Sequence, residues 1–214
     1  MPVGPGFGHL LYSLARSVKA KTVVEFGTSF GISTIFLASA IRDNGEGKVI
    51  TTEFDPDKAE RAKRNLTAAG LDEWVEFRVG DALETLSNPP REIDIIFLDG
   101  AKELYLDVLK LLEPHLRPLG IIASDNTDHD GMEAFLDYVR NPGNGYTSSA
   151  ILTAGGHRPR GHEITIRNRL REPEKPRETS SWYHTNDRPH DSSDCIGDVR
   201  FTSAHGCNKR TCPD

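Results

Sequence analysis

Two short segments hold the residue types best suited to chemistry. "FLDGAK" spans residues 97–102 and sets Asp99 at the end of an apolar run, with Lys102 three residues on. "SDN" sets Asp125 and Asn126 at the end of a second apolar run, "GIIASDN". If the two runs are neighbouring strands, two carboxylates and an amide oxygen meet at one spot. Those are hard oxygen donors of the kind magnesium or calcium prefers. Three protein ligands leave positions for water and for substrate oxygens, and Lys102 stands within reach of a hydroxyl bound there. Read as structure alone, the acids are turn and cap residues and the lysine is solvated.

A second set points to a cofactor. "EFGTSFG" ends a strand at Glu25, and Gly27 and Gly31 let the backbone turn tightly and approach a ligand. The pattern is E-x-G-x-x-x-G, not the G-x-G-x-x-G of a dinucleotide binder. It suits a cofactor with no pyrophosphate to seat. In "TTEFDP", Glu53 ends the next strand about twenty residues later, where an acid can take both ribose hydroxyls. In "VGDALE", Asp81 either meets an adenine amino group or caps a short helix, with Glu84 completing a capping box.

The elements that must position these residues alternate between strand and helix from residue 22 to about residue 167. "TVVEF", "KVITTEF", "WVEFRVG", "IDIIFLDG" and "GIIASDN" are predicted strands, and "GYTSSAIL" and "HEITIR" close the sheet. A helix follows over residues 32–41, another starts at Pro56 and ends at Gly70, and "GMEAFLDYVR" is a third. "LYLDVLKLLEPHL" puts Leu104, Val108, Leu111 and Leu112 on one helical face. Near-continuous apolar strands separated by helices predict a doubly wound, mostly parallel sheet covered on both faces. Such sheets bind ligands beyond the carboxyl ends of their strands, and every acid above falls there. "PLG" before the fifth strand suits a type I turn, with Pro118 second and Gly120 fourth. Gly100 is expected to let the chain leave its strand sharply.

With 214 residues at 23.7 kDa, the chain has room for one substantial domain and a tail. We expect a domain over residues 1–167 and a polar, disordered extension over 168–214, rich in Pro, Ser and charge. A net charge of −6 argues against nucleic acid as a partner. No run reaches the roughly eighteen apolar residues of a membrane span, and "MPVGPGFGHLL" lacks signal-peptide order. A cytoplasmic protein is expected. Cys195, Cys207 and Cys212 all lie in the extension, with no disulfide framework and no zinc spacing. His129 reads as an exposed loop residue, and His157 and His162 receive no role.

Together, "VVEFGTSFGIST", "VITTEFDP", "VGDALETL", "IIFLDGAKELYL" and "IIASDNTDH" resemble the class I S-adenosylmethionine-dependent methyltransferases, specifically the catechol O-methyltransferase-like family. The resemblance runs over residues 3–167. It implies a seven-stranded Rossmann-like sheet. It also implies that Glu25, Gly27, Ser33 and Glu53 hold S-adenosylmethionine, with Val3 and the Gly80–Asp81–Ala82 turn lining its pocket and Asp99 beside it. Ser33 would take the methionyl carboxylate. Asp99, Asp125 and Asn126 would bind Mg2+ or another divalent cation, and Lys102 would act as general base. The acceptor would be a small hydroxylated molecule, and a homodimer is compatible.

Three features depart from the family pattern. Only about twenty residues precede Thr22, enough for one helix where the family has two or more. No acid stands near "LTAGG", where the family grips the acceptor's second hydroxyl, and "PLG" replaces a Gly-Gly. Two other readings compete: an S-adenosylmethionine-binding protein without turnover, and a nicotinamide-dependent oxidoreductase. The first loop and the absence of a Tyr-x-x-x-Lys pair argue against the latter.

Overall fold

The computed structural model describes residues 3–153 and 160–168. His157, the three cysteines and nearly all of the expected tail fall outside these residues. Helix α1 (Pro5–Ser17) starts with a proline at its first turn and is, among the described residues, the one helix before β1 (Thr22–Phe26). There follow α2 (Ile32–Asn44), β2 (Lys48–Glu53), α3 (Pro56–Ala68) and β3 (Val75–Val79). Asp55 caps α3 by accepting from the backbone N–H groups of Asp57 and Lys58. Next come α4 (Ala82–Thr85), β4 (Ile93–Leu98), α5 (Tyr105–Leu112), β5 (Leu116–Asp125), α6 (Glu133–Arg140), β6 (Tyr146–Thr153) and β7 (Arg160–Arg167).

The seven strands form one sheet in the order β3-β2-β1-β4-β5-β7-β6. Strands β1 to β5 pair in parallel, and β7 runs antiparallel to both β5 and β6. The strand order reverses between β1 and β4, so that crevice is the switch point where such sheets take ligands. Alternate residues serve opposite faces. Val23, Val49, Ile95, Phe97, Ile121 and Ala123 pack with α1 and α2. Val24, Ile50, Ile96, Leu98 and Ile122 pack with α5 and α6. The sheet is therefore buried on both sides, as the continuous apolar strands require. No helix among the described residues is long and apolar enough to cross a membrane.

Two local expectations need correction, and a third position gains a reason the sequence did not show. The buried face of α5 is Tyr105, Val108, Leu109 and Leu112, while Leu111 is only partly covered. The helix starts at Tyr105, so Leu104 lies just before it and is likewise only partly covered. "PLG" is not a type I turn: Leu119 has φ 63°, which type I excludes and type II requires at that position. It sits inside β5, where Ile93 faces Leu116 but Ile95 faces Ile121, so residues 117–120 bulge from the ladder. Gly100 needs no left-handed backbone. It is a glycine because a Cβ there would lie 2.4 Å from the Phe26 ring.

Candidate active site

A cavity of about 490 Å³ opens at the carboxyl ends of β1, β2 and β4. Gly27, which lines it, and Gly31 turn the β1 loop through left-handed conformations, φ 101° and 81°. At Gly27 a Cβ would stand 2.6 Å from the Asp99 carbonyl oxygen, so the glycine lets the β1 loop cross directly over the end of β4. Val3, Gly27, Ser33, Glu53, Gly80, Asp81, Ala82 and Asp99 all line the cavity.

Glu25 does not. It is fully buried beneath the loop and accepts hydrogen bonds of 2.6 Å from the hydroxyls of Ser33, Thr34 and Thr51. Burial pushes its pKa up, and the three donors act against that rise. Its side chain is one register step from the strand end and on the α1 face, so it ties the loop and the start of α2 to β1 and β2. Ser33 spends its hydroxyl proton on Glu25. Toward a ligand it can offer only lone pairs and its backbone N–H.

Glu53 is aimed by two backbone donors, Ser29 N–H at 2.7 Å and Asp55 N–H at 3.0 Å. Asp81 caps α4 through the Leu83 N–H at 2.8 Å and also lines the cavity, so one residue meets both of its expected placements. Phe30 and Phe54, both exposed, add aromatic wall. Sequence reasoning passed over them, although each directly neighbours a residue it did single out, as in "TSFG" and "EFDP".

Beyond Asp99 lies a more enclosed corner. Lys102 Nζ is 3.6 Å from Asp99 Oδ1 and donates to the Tyr105 hydroxyl at 2.5 Å. That hydroxyl in turn reaches the carbonyls of Leu98 (2.9 Å) and Asp125 (3.0 Å), and its one proton can serve either. Tyr105 thereby ties the lysine to the ends of β4 and β5. Burial, with Asp125 nearby, pushes Asp99 up to about 8. Burial pulls Lys102 below its ordinary value, against the pull of Asp99 and Asp125.

Asp125 is fully buried. Its Oδ1 accepts from Asn126 N–H at 2.7 Å and from Asn126 Nδ2 at 3.1 Å, while Oδ2 has no hydrogen-bond partner. Asn126 is held at φ 55°, a left-handed conformation that asparagine tolerates. Its amide nitrogen is engaged, so its oxygen is the atom left for a ligand. His162, given no role from the sequence, has Nδ1 2.7 Å from Asp125 Oδ1. His129 is exposed before α6, as expected. Among the described residues, no group of three or more His, Cys, Asp and Glu side chains is gathered for a metal ion.

A family model described as a methyltransferase domain matches residues 24–127. A catechol O-methyltransferase from Niastella koreensis is 37% identical over 133 residues, which cover 60% of this chain and 59% of that protein. The chain thus spans little more than half the length of the curated relatives it matches. Two solved structures share the fold. A cofactor-bound protein from MTB has 30% identity and a TM-score of 0.70, over 78% of this chain and 82% of that one. An O-methyltransferase from Streptomyces achromogenes, involved in tomaymycin synthesis and in complex with SAM, has 27% identity and a TM-score of 0.71 over the same shares. The chain belongs to the class I S-adenosylmethionine-dependent O-methyltransferases of catechol O-methyltransferase-like type.

Proposed function

We propose that this protein moves a methyl group from S-adenosylmethionine to a hydroxyl of a small acceptor with two adjacent oxygens, as in a catechol. The observation that carries this reading is the contact of Asp99 with both regions. It lines the cavity and it faces Lys102 across 3.6 Å. In this reading Glu53 takes the ribose hydroxyls and Asp81 the adenine edge. Val3, Gly27, Gly80 and Ala82 shape the wall. Ser33 presents its backbone N–H near the start of α2, and Glu25 holds Ser33 in place from below.

The donor set fits a divalent cation. Asp125 Oδ2 is a buried oxygen without a partner, and Asp99 and Asp125 repel each other in a dry corner. Asp99, Asp125 and the Asn126 amide oxygen would hold the ion, an oxygen set suited to Mg2+. When bound, S-adenosylmethionine supplies the methyl group and the cation supplies charge that lowers the acceptor's hydroxyl pKa.

The remaining work belongs to the chain. Lys102 takes the hydroxyl proton at Nζ, for which it must be neutral, and its burial favours that form. Tyr105 fixes Nζ by hydrogen bonding and so sets the direction of proton transfer. The cavity walls hold the reacting groups in line, and positioning of this kind supplies much of the acceleration.

The test is a methyl-transfer assay on catechols, run with Mg2+ and with excess chelator, together with calorimetric titration of S-adenosylmethionine. Binding and Mg2+-dependent transfer are expected. Absence of S-adenosylmethionine binding would overturn the reading. Transfer that is equally fast in chelator would remove the cation and leave the rest.

A further inference from the structure

His162 sits on β7 directly opposite Asp125 on β5. Partners in an antiparallel register project to the same face, here the face covered by α1. The imidazole is 1% exposed and pinned on three sides. Its ring stacks on Phe7 of α1, with centroids 3.7 Å apart and planes 13° from parallel. Nε2 lies 2.6 Å from the Thr153 hydroxyl oxygen, and Nδ1 lies 2.7 Å from Asp125 Oδ1.

Two electronegative atoms this close in a dry interior need a proton between them. The tautomer with Nδ1–H toward Asp125 and Nε2 accepting from Thr153 meets that need without adding a second buried charge beside the carboxylate. The distance is that of a hydrogen bond but the angle is not yet one. Nδ1, like Asp125 Oδ2, has no aligned partner. The terminal torsion of an aspartate is broad, so the carboxylate can turn about Cβ–Cγ. Asn126 restrains it from the chain side, through N–H and Nδ2 on Oδ1. Among the described residues, His162 stands against Oδ1 from the neighbouring strand β7.

We infer that His162 is a positioning residue, which holds Asp125 Oδ1 and thereby delivers Oδ2 to a divalent cation shared with Asp99 and Asn126. This rests on the cation reading above. It also explains why a histidine, rather than an aliphatic residue, occupies a fully buried position stacked against Phe7. A histidine that only fills the core would leave cation affinity untouched when replaced by a hydrophobe of similar size.

The probe is Mn2+, titrated into the full chain and followed by the loss of the free-ion paramagnetic resonance signal, with no acceptor and no turnover. His162→Leu is expected to weaken Mn2+ binding by roughly 10–100-fold, as loss of a residue that orients a metal ligand does. Affinity for S-adenosylmethionine should stay unchanged. His162→Asn returns an N–H donor near the Nδ1 position and should restore most of the loss. If His162→Leu binds Mn2+ as the wild type does, or if His162→Asn is no better than leucine, the inference is overturned and the cation reading stands. A wild-type protein that binds no Mn2+ overturns both. If His162→Leu does not fold, Thr153→Val, which removes the Nε2 partner and frees the ring, takes its place. It should weaken Mn2+ binding several-fold, and wild-type affinity in that variant overturns the inference.

Discussion

On the cavity side of β4, polar groups answer one another. Glu53 is aimed by two backbone N–H groups, Asp81 caps a helix, and Glu25 takes three hydroxyls. On the far side they do not. Burial and the neighbouring Asp125 raise the cost of ionising Asp99, Asp125 Oδ2 is orphaned, and the lysine facing Asp99 has its charged form disfavoured by burial. Both regions lie along one sheet edge and both are built from strand-end acids. A satisfied wall is preformed and can recognise a neutral or cationic ligand by shape and hydrogen bonds. An unsatisfied acidic corner lacks positive charge, and it gains stability from whatever supplies it.

The comparison breaks if damage on one side is felt equally on the other. Asp125→Ala should give the largest effect, loss of cation-dependent methyl transfer with S-adenosylmethionine affinity kept within a few-fold. Activity with and without Mg2+, beside calorimetry on the same preparation, checks it. Equal loss of cofactor binding would mean that the two regions are one site.

Lys102→Met should slow turnover by roughly 10²–10⁴, the usual contribution of a general base, without weakening either ligand. Wild-type turnover across the pH range would reduce Lys102 to a structural partner of Tyr105. Glu53→Ala acts on the other side. Removing a charge-assisted hydrogen bond of about 1.5–3 kcal/mol should cost at least tenfold in S-adenosylmethionine affinity. Mn2+ affinity should hold, and an unchanged cofactor dissociation constant would remove Glu53 from the pocket.

The smallest effect concerns stability. Glu25 has its pKa raised by burial, so the folded state keeps a proton that the unfolded chain releases. Its contribution is greatest at low pH, and it is lost as pH rises from the ordinary carboxyl range near 4.5 through the raised value. One such proton changes stability by no more than about 1.4 kcal/mol per pH unit. Denaturant unfolding of Glu25→Gln should show a flatter pH dependence than the wild type. Identical profiles would mean that Glu25 titrates no differently when folded.

Local pattern alone determined much of this protein. Apolar runs of strand length, a proline at the start of α3 and the glycine after it made the alternating strands and helices legible. They also put Glu53, Asp99 and Asp125 at strand ends, because strand ends are where apolar runs stop. Gly27 was legible as a turn, since only glycine adopts that backbone freely. Other features depend on contacts between segments distant in the chain, and these the sequence could not supply. Glu25 reads as a strand-end ligand acid, yet the α1 face of β1 turns it inward to three hydroxyls from α2 and β2. Gly100 reads as the place where the chain leaves its strand, but its close approach to the Phe26 ring is visible only in the packed structure. His162, at the start of the predicted strand "HEITIR" beside a loop of glycine and arginine, carries no sign of a role in the sequence. It meets Asp125 only because β7 inserts antiparallel beside β5 in that register, and a slip of one residue would have turned it to the other face. Which side chains share a face is a property of strand pairing, and pairing is settled by the packed sheet as a whole.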